Sequence, residues 1–364
     1  MISIPRPLLY RLSSLALLLS IVLGAGIITQ LASHTGRVQA SKSTGVGGCP
    51  FYPTNSIWNY DISNLPVHPN SANFIKSIGL NGPLHPDFGT GKIGIPYTIV
   101  PGNQPYVPVH FQVASESDPG PYPIPPNAPV EAGGDRHVLV VDSGTCDLYE
   151  MYDSHLQSNG SWKAYSGAKW NLNSNALRPS GWTSADAAGL PILPGLVRYD
   201  EVASGVINHA LRFTVSQTQA AFLWPARHFA SSSTDPNLPP MGLRLRLKAS
   251  VDISSFSPTN QVILTALKHY GMFVADNGSS WFLSGAPDNR WNNNDLHLLD
   301  KITGSDFEAV DESSLQVSPN SGKAKQPSTT LNSNQPGAPT TWLYEFMITK
   351  QADKRPPANK LNRL

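Results

Sequence analysis

The density of proline and glycine constrains this chain more than any other feature of its sequence. The 364 residues include 33 prolines and 29 glycines. This content is above average but short of that of a disordered chain, and Trp, Tyr and Phe are well represented, a mixture that is typical of a loop-rich β protein. The formal net charge of +1 and the charged fraction of 14% provide no field that would attract nucleic acid. We therefore expect a loop-rich β protein with an uncharged partner.

The first 40 residues have the organisation of an export signal. Arg6 and Arg11 precede an apolar run at 15–28, and small residues at 38–40 offer a cleavage site. The alternative is an uncleaved membrane anchor, because the apolar stretch approaches the roughly 20 residues that span a bilayer. Either interpretation places the rest of the chain outside the cytoplasm, so we expect a secreted or membrane-anchored extracellular protein.

Cys49 and Cys146 are the only cysteines of the chain. An exported protein meets an oxidising environment, so we predict that the two form a disulfide. Such a bond closes a loop of about a hundred residues and contributes on the order of 4 to 5 kcal/mol in the chain-entropy model. Two unrelated buried thiols are the alternative. With two cysteines and no C-x-x-C motif, a zinc–thiolate site is excluded.

Most of the predicted elements are short strands. One hairpin is predicted from 136–142 to 146–155 around Gly144, and a second spans 272–285 through Asn277 and Gly278. Other strands are predicted at 94–100, 106–113, 161–172, 209–215, 220–226 and 242–250. In the last of these, alternation directs leucines to the core and leaves three cations on the open face, namely Arg244, Arg246 and Lys248.

Two segments have helical signals. Residues 70–80 form a short candidate helix that stops at Gly79. Residues 257–271 have Ser257 as the cap, apolar residues at helical spacing and Gly271 as the stop. We expect the second helix to pack against one side of the sheets.

These elements predict a single folded domain at 49–311. Its expected class is all-β or β-rich α+β, as a β-sandwich of jelly-roll type with one packed helix. Residues 41–48 are small and predict a flexible leader, and 312–340 lack the apolar residues needed to bury surface, which predicts disorder. The basic terminal segment 341–364 is either a small docking strand or a free end.

Searches for short catalytic motifs are negative. The chain has no G-x-S-x-G elbow, no H-E-x-x-H, no phosphate-binding loop and no dinucleotide-binding glycine motif after a strand. We therefore predict no cofactor and no bound metal. Acid/base chemistry needs no short motif and remains open.

Three residues are the predicted acid/base groups. Glu150 lies on a strand among large side chains, where a carboxylate must be paired or have a raised pKa. Asp186 lies in a small-residue loop, and His209 is expected to assist. The alternatives are that Asp186 caps a helix, that His209 is a packing residue, and that Arg198 or Arg212 forms a structural ion pair with Asp200 or Glu201.

Polar and aromatic residues near strand ends are the predicted substrate-binding groups. Sugar rings stack on aromatic faces while their hydroxyls bond to polar groups, which suits a concave, partly apolar site. Asp276, Asp295 and His297 alternatively hold a cation such as Ca²⁺. The predicted binding set is Asp135, His137, Tyr152, Arg198, Arg212, Arg227, His228, Arg246, Asp276 and Trp281.

Several long stretches resemble those of a widespread group of secreted bacterial proteins, often found in soil organisms. They include "GDRHVLVVD", "SNALRPSGWTSADAAGLPILPGLVRYDEV", "WPARHFASSS" and "MFVADNGSSWFLSGAPDNRW", and the resemblance covers roughly residues 51–311. It implies export and a single folded unit and, by association only, a role in polysaccharide or cell-envelope chemistry. It assigns no catalytic residue.

The sequence thus predicts a secreted, monomeric, polysaccharide-active enzyme. A glycoside hydrolase needs two carboxyl groups, whereas a lyase needs a His or Tyr base and an Arg to neutralise a uronate. The expected partner is a polysaccharide or cell-envelope glycan, without nucleic acid, and with membrane contact only through an uncleaved N-terminal segment. The alternatives are a non-catalytic carbohydrate- or envelope-binding protein and a purely structural surface protein.

Overall fold

A six-stranded and a four-stranded sheet form the centre of residues 45–326, the part of the chain that this computed structural model describes. Smaller sheets of two and three strands surround them. The strands are β1 Gly45–Val46, β2 Cys49–Pro50, β3 His85–Asp87, β4 Tyr97–Val100, β5 Val109–Phe111, β6 Val138–Asp142, β7 Asp147–Tyr152, β8 His155–Leu156, β9 Trp162–Ala164, β10 Ser166–Asn171, β11 Leu211–Val215, β12 Arg244–Leu247, β13 Met272–Asn277, β14 Phe282–Ser284, β15 Phe307–Ala309, β16 Gln316–Ser318 and β17 Ser321–Ala324.

The described chain contains four α-helices of 4 to 12 residues. They are α1 Ser71–Ile78, α2 Tyr199–Ala203, α3 Pro258–His269 and α4 Asn293–Leu296. Short 3₁₀ turns lie at Ile57–Asn59, Ala114–Glu116, Leu193–Gly195, His297–Lys301, Gly304–Asp306 and Ser313–Leu315. In the described chain, no helix combines the length and apolar character needed to span a bilayer.

Both predicted helices are present where their end signals placed them. The clearest case is α3, where the Ser257 hydroxyl accepts a bond from the Asn260 N–H at 3.2 Å. Ile263, Leu264 and Leu267 of α3 are fully buried and belong to the main apolar core. Helix α1 ends at Gly79, whose N–H donates to the Ile75 carbonyl at 3.0 Å.

The predicted β-rich class is confirmed, with two central sheets of mixed direction. The six-stranded sheet has the order β15-β12-β13-β11-β14-β3, and the four-stranded sheet has the order β10-β7-β6-β4. Four strand pairs of the described chain are parallel: β11 with β13, β14 with β3, β4 with β6, and β5 with β9. A jelly roll is an antiparallel architecture, so these pairs depart from the predicted type of sandwich.

The first predicted hairpin is confirmed, and the second is wrong. Strands β6 and β7 pair antiparallel, as the sequence around Gly144 predicts. Strands β13 and β14 do not pair with each other, because β11 lies between them, parallel to β13 and antiparallel to β14. The turn at Gly278 crosses the end of β11 instead, where its N–H donates to the Val215 carbonyl at 2.9 Å.

The strand predicted at 220–226 is also wrong. Only an isolated bridge joins Phe222 to Met241 in this segment. Pro225 interrupts the run and has no N–H for a ladder, which explains why the apolar and aromatic pattern did not produce a strand.

The predicted open face of cations on β12 is wrong as well. Arg244 is only 1% exposed, and its guanidinium bonds to the Glu312 carboxylate at 2.6 Å. Arg246 pairs with Glu308 at 2.8 Å and donates to three carbonyls of residues 62–65. The N-terminal part of the domain therefore covers the face that alternation left open.

The disulfide between Cys49 and Cys146 is confirmed and joins β2 to the start of β7. The strands extend beyond the predicted domain 49–311 at both ends: β1 lies within the predicted leader, while β16 and β17 lie within the segment predicted as disordered. The predicted signal and the terminal segment 341–364 lie outside the described residues.

Candidate functional site

A buried ion pair between Arg212 and Asp186 forms the centre of the candidate site. Arg212 lies on β11, and its Nε and Nη2 donate to the two Asp186 oxygens at 2.9 and 2.8 Å. Its Nη1 donates to the Ser284 hydroxyl of β14 at 2.5 Å. Burial alone would lower the pKa of Arg212, but the Asp186 carboxylate raises it well above its ordinary value. Arg212 is therefore permanently charged. Burial raises the pKa of Asp186 and the Arg212 charge opposes this shift, and we describe the two as an ion pair because two guanidinium N–H groups donate to the carboxyl oxygens.

The loop that carries Asp186 is fixed from both sides. The Ser184 hydroxyl accepts from the Asp186 N–H at 2.9 Å and donates to the Leu190 carbonyl at 2.6 Å. The Ala188 N–H donates to the Ala275 carbonyl of β13 at 2.9 Å. No helix begins in this loop, so the helix-cap alternative for Asp186 is wrong.

His137 lies beside this pair at the start of β6 and is almost completely buried, at 3% exposure. Its Nε2 lies 3.1 Å from the Ala185 carbonyl, and its Nδ1 lies 2.5 Å from the Glu131 carboxylate. A carbonyl only accepts, so Nε2 carries a proton and Nδ1 shares a second one with Glu131. Burial alone would lower the pKa of His137, but the bond to Glu131 raises it.

Asp276 is a carboxyl group of the site that solvent can reach and whose pKa is strongly raised. It lies on β13 opposite Thr214 of β11 and is partly exposed. Burial, and then the negative charge of Asp186, raises its pKa to about 7. The Arg212 charge and a 2.7 Å bond from the Asn277 N–H oppose this shift without cancelling it. Asp276 is therefore partly protonated at neutral pH.

Further acidic groups surround these residues. The charges of Glu131 and Asp135 act on Asp87, and those of Asp135 and Asp276 act on Tyr152, whose ring lies 5.5 Å from that of His137. We call Asp87, Glu131, Asp135 and Asp276 the acidic rim. We call the rim together with Arg212, Asp186, Ser284, His137 and Tyr152 the Arg212 site.

Glu150, the preferred acid or base from the sequence, is 0% exposed. Its carboxylate accepts from the N–H groups of Ile192 and Leu193 at 3.0 and 2.9 Å, and from Trp170 Nε1 at 3.0 Å. Burial raises its pKa to about 7, against the effect of these donors. No ligand can reach this group in the structure, so the predicted catalytic role of Glu150 is corrected to a structural one. Its bonds tie β7 to the chain after the Asp186 loop.

His209 is also 0% exposed and belongs to a separate cluster. Its Nε2 lies 3.0 Å from Arg198 Nη2 and 3.2 Å from the Glu201 carboxylate, and Arg198 pairs with Glu201 at 2.6 Å. Burial alone would raise the pKa of Glu201, but Arg198 and His209 lower it to about 2. Arg198 therefore forms a structural ion pair with Glu201, and His209 is a buried packing residue, which were the alternatives to their predicted functional roles.

Three other predicted binding residues are committed to the fold. Arg227 donates to the carbonyls of Arg178 and Pro319 at 2.6 and 2.5 Å, and Arg246 is paired with Glu308. Trp281 is 0% exposed and stacks between Phe213 and Phe307. These side chains cannot bind a substrate in this structure. His228 is partly exposed, with Nδ1 2.8 Å from the Ala187 carbonyl.

The structure thus brings together six of the predicted residues: Asp135, His137, Tyr152, Asp186, Arg212 and Asp276. Sequence reasoning missed Asp87, Glu131 and Ser284. Glu131 had a signal, because it lies two residues before the Gly133-Gly134 pair. No sequence signal marked Ser284, which the pairing of β14 with β11 places beside Arg212.

No family model matches the chain, and neither a curated protein nor a solved structure matches it. A functional assignment for this protein therefore has to be argued from the geometry and charge of the Arg212 site.

Proposed function

We propose that this protein is a secreted glycoside hydrolase that acts at the Arg212 site on neutral or cationic glycan, with Asp276 as the general acid. The observation that carries the proposal is a partly exposed carboxyl group whose pKa is raised to about 7 beside a fixed ion pair. A general acid works best with a pKa near the working pH, and burial near another carboxylate is how glycosidases obtain one.

Hydrolysis also needs a second carboxylate. Glu131 is bonded to His137, and Asp186 to Arg212, so neither is free to attack or to activate water. Asp135 is exposed, and no ion pair engages it among the residues described. Asp87 is also exposed and in no ion pair of the described chain, but it does not act on Tyr152, whereas Asp135 and Asp276 both do. We therefore assign Asp135 as the carboxylate partner of Asp276.

The charge balance favours a hydrolase over a lyase. A lyase needs a cation that neutralises the uronate carboxylate. Two nitrogens of Arg212 already bind Asp186, and the third binds Ser284. Asp135 and Asp87 of the acidic rim lie in no ion pair of the described chain, and their negative charge would repel a uronate, since like charges in a partly buried site interact strongly. Neutral or amino-sugar residues meet no such repulsion.

A groove of about 340 Å³ with a largely polar lining lies at the end of β13, beyond Asp276, and we assign it as a subsite for a sugar unit. Asn277, the residue after Asp276, forms part of its wall. Ser216, Thr218 and Ser231 through Ser233 line the groove as well. Hydroxyl and amide groups of this kind exchange hydrogen bonds with sugar hydroxyls. The same groove would serve the alternative function, glycan binding without chemistry.

The proposal also includes export, a monomeric state, a glycan partner and sandwich packing of the two central sheets. The disulfide supports an extracellular location, since such bonds persist in oxidising compartments.

The test is a panel of neutral, cationic and anionic polysaccharides incubated with the purified protein. We expect new reducing ends on a neutral or cationic glycan and no unsaturated products. Asp276→Asn should lower this rate by about 10²- to 10⁴-fold, because it removes proton transfer to the leaving group. Asp252→Asn, at an exposed carboxylate outside the site, is the matched control.

Three results would count against the proposal. Unsaturated ends would identify a lyase, and full activity of Asp276→Asn would remove the assigned acid. Glycan binding without any product would support the non-catalytic alternative.

A further inference from the structure

We propose that His85, His297 and Asp300 form a binding site for a divalent transition-metal ion of the zinc type. His85 begins β3, the edge strand of the six-stranded sheet. His297 and Asp300 lie on the 3₁₀ turn His297–Lys301 that follows α4. The site shares no residue with the Arg212 site, although the charge of His85 acts on Asp87 of the acidic rim. The proposal does not depend on glycan hydrolysis.

The ligand atoms already converge. His85 Nδ1 lies 3.8 Å from Asp300 Oδ1, and His297 Nδ1 lies 3.7 Å from Asp300 Oδ2. One donor atom from each of the three residues lies within 4.8 Å of the others. In a tetrahedral zinc site with bonds of 2.0 to 2.2 Å, ligand atoms are about 3.4 Å apart. The two His–Asp300 pairs would need to approach by about 0.3 to 0.4 Å, and the widest pair by at most about 1.4 Å, to complete the coordination.

The fold holds these ligands on one side. The His85 ring packs on Phe282 at 4.3 Å between centroids, and its backbone N–H donates to the Trp281 carbonyl. Residues three apart on a 3₁₀ turn eclipse each other, so His297 and Asp300 project in one direction. The centroids of the His85 and His297 rings are 5.5 Å apart, and this separation leaves room for an ion between the ring edges.

An unsatisfied carboxylate oxygen supports the assignment of a cation site. Asp300 Oδ1 is shielded from solvent and has no hydrogen-bond partner in the described chain. The distances to the two imidazoles exceed those of hydrogen bonds, so neither ring satisfies this carboxylate. Leaving a shielded carboxylate oxygen unpaired is costly, and a coordinated metal ion removes that cost.

The donor set selects the kind of metal. Two imidazoles and one carboxylate suit zinc and similar transition metals, whereas Ca²⁺ and Mg²⁺ prefer oxygen ligands. The set considered from the sequence, Asp276 and Asp295 with His297, does not form, because Asp276 belongs to the Arg212 site and the Asp295 carboxylate accepts from Ser257 at 2.7 Å. Both cysteines are in the disulfide, so no thiolate competes.

The site would leave one coordination position open to water. All three side chains are partly exposed, at 32%, 53% and 40% for His85, His297 and Asp300. Three protein ligands with a solvent-accessible fourth position are typical of sites that bind a water or substrate molecule, in contrast to closed structural sites.

The test is a calorimetric titration of the full chain with Zn²⁺ after removal of metal by a chelator. We expect one ion per chain, and at least a 100-fold loss of affinity in His297→Ala and in Asp300→Ala. Titration with Co²⁺ should give the visible absorption bands of a tetrahedral nitrogen and oxygen site, and these bands should disappear in both variants.

His269→Ala is the matched control, because His269 and Asp61 form a similarly exposed pair at 2.9 Å outside the site. Its affinity for Zn²⁺ should equal that of the unaltered chain. Circular dichroism checks that each variant folds. If His297→Ala does not fold, His85→Asn replaces it as the second ligand variant. Absence of a stoichiometric site, or equal affinity in the ligand variants and the control, would overturn the proposal.

Discussion

Arg244 and Glu312 form a buried ion pair, with 2.6 Å between Nη1 and Oε1, that ties the six-stranded sheet to the chain beyond residue 311. Arg244 also donates to the carbonyls of Ile57, Tyr60 and Tyr270. Farther along, Trp224 Nε1 donates to the Ser321 carbonyl at 2.8 Å. The segment up to residue 326 is therefore an integral part of the domain.

Glu312→Gln should lower the free energy of unfolding by about 3 to 5 kcal/mol, because it leaves the charge of Arg244 buried without its counter-ion. Urea unfolding measures this loss. Glu308→Gln is the control, since Glu308 is more exposed, at 20%, and pairs with the less buried Arg246. Its expected loss is about 1 kcal/mol or less. Equal losses in the two variants would contradict a special role for Glu312.

The Arg212 and Asp186 pair should show strong coupling. Asp186→Ala and Arg212→Met should each destabilise the fold by about 3 to 5 kcal/mol, because each leaves one buried charge unpaired. The double variant should lose less than the sum of the single losses, since it leaves no charge behind. Denaturant unfolding of the four proteins measures the coupling, and additive losses would show that the two residues do not depend on each other.

Glu150 should give stability a distinct pH dependence. Its pKa is about 7 in the folded chain and 4.5 in the reference state, so the folded state binds the proton more tightly. Protonation therefore favours folding, and this contribution, about 3 kcal/mol, is lost as pH rises from about 4.5 through 7. Glu150→Gln should remove that part of the slope. Urea unfolding at a series of pH values, carried out also on Asp276→Asn, separates the contribution of Glu150 from that of Asp276, the other carboxyl group whose pKa is raised to about 7.

Asp276 should set the alkaline limb of the pH–rate profile. The general acid must be protonated, so the hydrolysis rate should fall as pH rises through about 7. Asp276→Asn should lose this limb and most activity on glycans, yet retain activity on aryl glycosides whose leaving group needs no proton. Equal losses on both substrates would indicate a structural role for Asp276.

The disulfide should contribute strongly to stability. It closes a loop with a sequence separation of 97 residues, for which chain entropy gives about 4 to 5 kcal/mol. The double variant Cys49→Ser and Cys146→Ser should therefore unfold at lower urea concentration. The wild-type chain under reducing conditions should match the variant, and a shift of less than about 1 kcal/mol would contradict the entropic account.

Local signals predicted the elements that depend on local chemistry. Ser257 and Gly79 marked helix ends correctly, and Gly144 marked the β6–β7 hairpin. The Asn277-Gly278 signal failed because pairing with β11, distant in sequence, decided the neighbours of β13 and β14. A turn sequence predicts that the chain changes direction there. Which strands become neighbours is decided by pairing between segments that are distant in sequence.

The same limit applies to the candidate site. The sequence identified Arg212, Asp186 and Asp276 by residue type, but not their pairing. The sequence predicted a catalytic role for Glu150 because a carboxylate on a strand among large side chains must be paired or have a raised pKa. In the structure three N–H groups inside the core donate to this carboxylate. Alternation also placed Arg244 on an outer face, since it contains no information about the segment that covers that face.

One continuous stretch of chain, from β13 through Gly278 to β14, supplies both neighbours of β11 and crosses its end. The amide hydrogens of β11 should therefore exchange with solvent only when the whole unit of β11, β13 and β14 opens. Their slow exchange would mark the unit of the domain with the highest free energy of opening. Arg212 belongs to that unit, whereas Asp135 lies in a loop outside it. Ligand-induced adjustment at the site would consequently occur in the loop, against a rigid strand.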